Sequence, residues 1–174
     1  LRDFFNYYVF DTLTHHFAIK SCSFAENSAR IKITSRTETD SNSPCTNIRI
    51  PITFMDSAFN RYDAMIIDNG EEIEHNFSLP FTPQAAFLDF YEEFFDLTTD
   101  SYKIISEPSN YEFKNSYFKA NVTSCQDSVL LRPTLHWVGA NQEQLPEGIS
   151  RFSQKHYWTI EGVNLDKAEI EAKF

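Results

Sequence analysis

The chain has 174 residues, 41% of them hydrophobic and 16% aromatic, with 17 phenylalanines and a formal charge of −10. So much apolar mass excludes disorder and allows one large all-β domain or two small ones. The acidic balance excludes nucleic acid and anionic membrane surfaces as partners, and no run of about 18 apolar residues is present to span a membrane.

The opening residues 1–13 place Leu1, Phe4, Phe5, Tyr8, Val9 and Leu13 at helical spacing, with one broad apolar face. The pattern is in full swing at residue 1 without a cap, and these residues lack the charged-then-apolar pattern of a signal peptide. We read it as the helical remnant of an upstream domain, with Phe4, Phe5, Tyr8 and Val9 as the interdomain contact.

The period then changes from helical to alternating. Phe17 and Ile19 alternate with polar neighbours, as do Ala29, Ile31 and Ile33 against Arg30, Lys32 and Thr34. The polar stretch 37–46 reads as a loop. Ile48, Ile50, Ile52 and Phe54 share a face, and Pro51 in that run predicts an edge strand or a bulge. A short apolar run over 62–67 closes on Asp68-Asn69-Gly70, a turn signal, and Ile73, His75, Phe77 and Leu79 alternate after it. Half-buried antiparallel strands give this pattern.

The stretch 77–100 carries Pro80 and Pro83 and then a dense aromatic run containing Asp89, Glu92, Glu93, Asp96 and Asp100. A flexible linker would be rich in Gly and Ser, so this is a packed, stiff joint. Within it, Ala85, Leu88, Tyr91 and Phe95 also fit a helical stripe, but strand and turn is the reading adopted.

In the second half, Phe118, Ala120 and Val122 share one face. Val129, Leu131, Leu135 and Trp137 share another, opposite Arg132, Thr134 and His136, and Pro133 again hints at an edge or bulge. His156, Trp158 and Ile160 alternate with Tyr157, Thr159 and Glu161, and a last strand holds Ala168, Ile170, Ala172 and Phe174. The fold class is therefore all-β: two consecutive β-sandwich domains, 14–90 and 91–174, after a short N-terminal helix. No sequence-level repeat links the halves.

Chemistry-bearing motifs are sparse. His15 and His16 are adjacent and would point to opposite faces of a strand, and no H-E-x-x-H occurs, so no metal site is assigned and the histidines are expected at the surface or half-buried. The acidic cluster lacks the glycine and spacing of a calcium loop and reads as a solvated turn. The same carboxylates would have to serve any hydrolase reading, for which no cleft or partner is visible. There is no G-x-S-x-G elbow and, with 4 glycines, no phosphate-cradling loop. Cys22, Cys45 and Cys125 form neither a disulfide framework nor a zinc pair; Cys22 and Cys45 flank a candidate strand at 29–36, which predicts separated thiols at strand ends. Asn76-Phe77-Ser78 and Asn121-Val122-Thr123 match the glycosylation sequon. Alternation directs Trp137 and Trp158 into the core and leaves Tyr157 as the member of this group that looks outward; Tyr157 and His136 are the binding candidates.

Several stretches taken in order carry a resemblance: Pro80-Phe81-Thr82-Pro83 leading to Leu88-Asp89, the Asp96 and 98–100 segment, 102–105, 128–132, His136-Trp137-Val138, 150–153, Tyr157-Trp158, Gly162 and the strand at 172–174. Their order resembles the C-terminal region of secreted, aminopeptidase-N-like gluzincin zinc metallopeptidases of Bacteroidetes, and residues 3–13 are similar to the last helix before the first sandwich there. Gly139-Ala140-Asn141 departs from the proline and acid expected after the Trp-Val pair, and Pro133 stands where an aliphatic would be ordinary. The family's zinc motif and its distal glutamate match no position here. The resemblance thus implies immunoglobulin-like sandwiches with no catalytic residue and no cofactor in this segment, zinc being expected only in the missing catalytic domain. It further implies an extracellular, periplasmic or cell-surface location, and the upstream catalytic domain as partner. The alternative class is a free-standing adhesin or carbohydrate-binding module, with a surface glycan or protein as ligand.

Overall fold

A computed structural model describes residues 14–37, 47–69, 74–140 and 152–173. The expected helix at 1–13, with Phe4, Phe5, Tyr8 and Val9, lies outside the described residues, as do Cys45 and most of the polar loop at 37–46. Among the described residues the structure is all-β, its one helical element being a 3-10 turn at Leu165–Lys167. The chain divides into two compact packing units, Leu1–Asp96 and Leu97–Phe174.

The first unit contains β1 (His15–Ala25), β2 (Ser28–Thr37), β3 (Ile48–Met55), β4 (Arg61–Asp68), β5 (Glu74–Ser78) and β6 (Ala85–Leu88). They form two three-stranded sheets, ordered β1-β2-β5 and β4-β3-β6, with every pairing antiparallel. The alternation seen in sequence is what packs them. Ala29, Ile31 and Ile33 of one sheet share a buried cluster with Ile48, Ile50, Ile52, Phe54 and Ile66 of the other. Phe54 is fully buried and lies 4.9 Å from the Phe77 ring; burying such a side chain contributes about 1.5–3 kcal/mol. In β1 the register shifts between Ile19 and Ser21. His15, His16 and Phe17 before that shift are buried, whereas 20–25 beyond it are exposed, as a bulge that re-aims a strand would produce.

The second unit contains β7 (Thr98–Asp100), β8 (Lys103–Ile105), β9 (Ser109–Phe113), β10 (Phe118–Cys125), β11 (Val129–His136), β12 (Tyr157–Val163) and β13 (Ala168–Lys173). One sheet runs β13-β10-β9; the other runs β12-β11, with both β7 and β8 paired to the far side of β11. Ile105, Phe113, Phe118, Ala120, Val122, Val129 and Leu131 make its core, with Trp158 and Ile170 packed against them. Each unit is therefore sandwich-like, two antiparallel sheets closing on one core.

Two prolines stand in central strands, not on edges. β3 is the middle strand of its sheet, and Pro51 sits opposite Met65 of β4. On its other side β6 pairs only with 52–55, and the Asp89 N–H donates to the Pro51 carbonyl as β6 ends. An N–H at Pro51 would have completed that pair, so the proline stands where the ladder stops. Pro133 likewise lies in the middle of β11, paired with Ile160 of β12. On the opposite side β8 covers 129–131 and β7 covers 134–136, which leaves Arg132 and Pro133 across from the break between β7 and β8. The missing donor falls where no partner strand exists. Cys22 is also displaced from its expected position, pairing with Ile31 well inside β1 rather than flanking a strand end.

Candidate functional site

β11 is buried on both of its faces along all eight residues. Its apolar face supplies the core; its other face carries Arg132, Thr134 and His136, all nearly fully buried. Alternation had assigned these three to an outer face, because a strand with alternating polarity ordinarily turns its polar side to water. Here the polar face of β11 becomes the floor of a cluster that β7 and β12 complete.

Register builds the cluster. Cross-strand neighbours are Arg132 with Glu161, Thr134 with Thr159, and His136 with Tyr157 on β12. On β7, Asp100 stands opposite Thr134. The Arg132 guanidinium donates to the buried Asp100 carboxylate and lies 3.9 Å from Glu161. Burial pushes the Glu161 carboxyl above its ordinary value; Arg132 draws it back and Asp100 adds to the rise. Its side chain remains 33% exposed, so solvent screens part of this effect.

At the other end of the ladder, His136 Nε2 and Thr159 Oγ1 are 2.9 Å apart in a hydrogen bond, and the imidazole stacks on the Tyr157 ring at 4.2 Å with 3° between planes. The two binding candidates read from sequence are thus in direct contact. One face of each ring covers the other.

Trp137 is not in the core. It follows β11 at the end of the sheet and is 44% exposed, its N–H donating to the Leu97 carbonyl and its Nε1 to Thr99 Oγ1 at 3.1 Å. Its ring meets Tyr117 at 6.1 Å and nearly perpendicular, and Tyr117 is 69% exposed. Trp158 does fill the inward position expected of it, packing on the second core while Nε1 donates to the Ser116 carbonyl.

The acidic cluster is taken apart by the fold. Asp89 is largely buried, with φ at 42°, and its carboxylate accepts from the Glu93 and Phe94 N–H groups as a turn-forming cap. Asp100 is buried against Arg132, and Glu92 and Glu93 are exposed. The expectation of one solvated acidic turn therefore fails, because two of its carboxylates are used inside. His75 and His156 are half-buried as expected, but the other three histidines depart from expectation. His15, His16 and His136 are buried; His15 stacks on Phe17, and His16 Nδ1 accepts from Arg36. Among the described residues no three His, Cys, Asp or Glu side chains are grouped to hold a metal ion, and no helix is long and apolar enough to cross a membrane. The Cys125 thiol donates to the Asp127 carbonyl, and the Asn121 amide donates to Glu171.

Comparison of the chain with protein-family models, curated proteins and solved structures finds no match.

Proposed function

We propose that the chain is a non-catalytic accessory module, two immunoglobulin-like β-sandwiches belonging to a larger exported zinc metallopeptidase. The observation that carries the non-catalytic part is the β11 ladder. Its charged and aromatic groups are engaged with one another: Arg132 with Asp100 and Glu161, His136 with Thr159 and Tyr157. A catalytic site needs a nucleophile or base aimed at a place where substrate can sit; side chains paired with one another across neighbouring strands serve instead to fix β7, β11 and β12 in register. The metallopeptidase part rests on the ordered resemblance of 80–174 to the C-terminal region of that family. The zinc would then belong to the upstream domain, and no residue of this segment is assigned to it.

The test is the coding sequence immediately upstream of Leu1. A helical H-E-x-x-H followed by a distal glutamate is the expected result. A signal peptide directly before Leu1, with no such helix, would overturn the accessory reading.

A further inference from the structure

We infer that the second unit carries a binding site for a neutral sugar, formed by the exposed rings of Tyr117 and Trp137. Going beyond the accessory role, this assigns the segment a ligand of its own.

The first argument is the backbone under Tyr117. The β9–β10 hairpin closes through a turn in which the Tyr117 N–H donates to the Lys114 carbonyl, and Tyr117 has φ at 51°. That left-handed conformation is one that Gly or Asn adopts readily and a bulky aromatic does not. Burial gives little compensation, because the residue is 69% exposed. Strain retained under an exposed side chain points to a role for the side chain itself.

The second argument is rigidity. Ser116 and Phe118 on either side of Tyr117 are buried, and the Ser116 carbonyl accepts from Trp158 Nε1 at 2.7 Å. Trp137 is pinned through its main chain to Leu97 and through its indole N–H to Thr99. With that N–H already satisfied, what Trp137 offers to solvent is ring surface. Two fixed rings at 88° to each other form an angled step, one presenting a face and the other an edge. Holding the Trp137 ring and the Tyr117 backbone in place beforehand lowers the ordering cost of binding.

The third argument selects the ligand. The rings stand among polar side chains: exposed Lys114 and Asn115 on the same turn, and a surface Lys119–Glu112 pair on the strands behind it. Two rings in such a setting are far smaller than the roughly 800 Å² per partner that a protein interface buries. They match a sugar ring, whose C–H face stacks on an aromatic while its hydroxyls reach neighbouring polar groups. Over residues 97–174 the 8 Lys and Arg nearly balance the 10 Asp and Glu, so this unit has no strong field to draw a charged glycan, which leaves neutral ones.

The experiment is retardation of the full chain in native gels cast with soluble neutral polysaccharides: β-glucan, xylan, mannan and galactan. At least one should retard the protein. Trp137→Ala should weaken that binding at least tenfold. Tyr117→Gly is the decisive variant, since it removes the ring while supplying the residue that the backbone prefers; it should bind at least tenfold more weakly yet melt no lower than the parent. Tyr91→Ala, an exposed aromatic in the first unit, should bind unchanged. Retardation by none of the four polysaccharides, or binding that Tyr117→Gly leaves intact, would overturn the proposal.

Discussion

Gly162 shows how tightly β12 and β11 approach. A Cβ built there would lie 2.0 Å from the Leu130 carbonyl oxygen and 2.8 Å from Leu165 Cδ2. The first obstacle is backbone, which cannot swing aside as a side chain can. Gly162→Ala should therefore destabilise by about 1–3 kcal/mol, the usual cost of overpacking a filled interior, read as a lower urea midpoint with an unchanged slope. Glu161, one residue earlier, gives a pH signature. Its carboxyl is raised in the folded chain by burial, against the pull of Arg132, so the folded state holds that proton more tightly than the unfolded one. The penalty is absent below the ordinary glutamate value and complete above the raised one, so this group makes stability fall as pH climbs between them. Glu161→Gln should remove that fall: its melting temperature should gain on the parent from pH 4 to pH 7. A constant difference across that range would show that the carboxyl does not titrate as argued.

Among the elements, β11 departs furthest from what alternation predicts. β2 and β10 were legible because each has one apolar face and one polar face that meets solvent, whereas β3 keeps that pattern only as far as Pro51, since Thr53 and Met55 are buried. β11 has the same pattern but both faces are covered, so Arg132, Thr134 and His136 read as surface while being interior. Only a partner for Arg132 could have signalled this, and Asp100 lies 32 residues away with nothing in the local sequence to pair them. β9 went unrecognised for a different reason: Tyr111 and Phe113 alone carry its alternation, and β10 supplies the rest through pairing. The ion pair makes the β7–β11 junction testable. Arg132→Met leaves the Asp100 carboxylate buried without its guanidinium and should cost about 3–5 kcal/mol. Removing both charges, as Arg132→Met with Asp100→Leu, should recover most of that loss, measured by chemical denaturation. A double variant no better than the single would show that the pair itself, not the stranded charge, sets the stability.

For the molecule as a whole, strand content and the all-β class could be read from period and turn chemistry, because those depend on neighbours in the chain. What could not be read depends on distant partners or on dihedral angles. The inward turn of Asp89 and Asp100, the stacking of His136 on Tyr157 and the left-handed backbone under Tyr117 leave no trace in local pattern. Trp137 was misplaced because alternation continues past the end of a strand on paper, while the sheet itself stops at His136. The break opposite Pro133 has a mechanical consequence. On one flank β11 is held by an unbroken seam to β12, and on the other by two separate clasps, β8 and β7. Tension drawn along β11 would load those clasps one after the other, so that flank would yield in two stages where the β12 seam would give way at once.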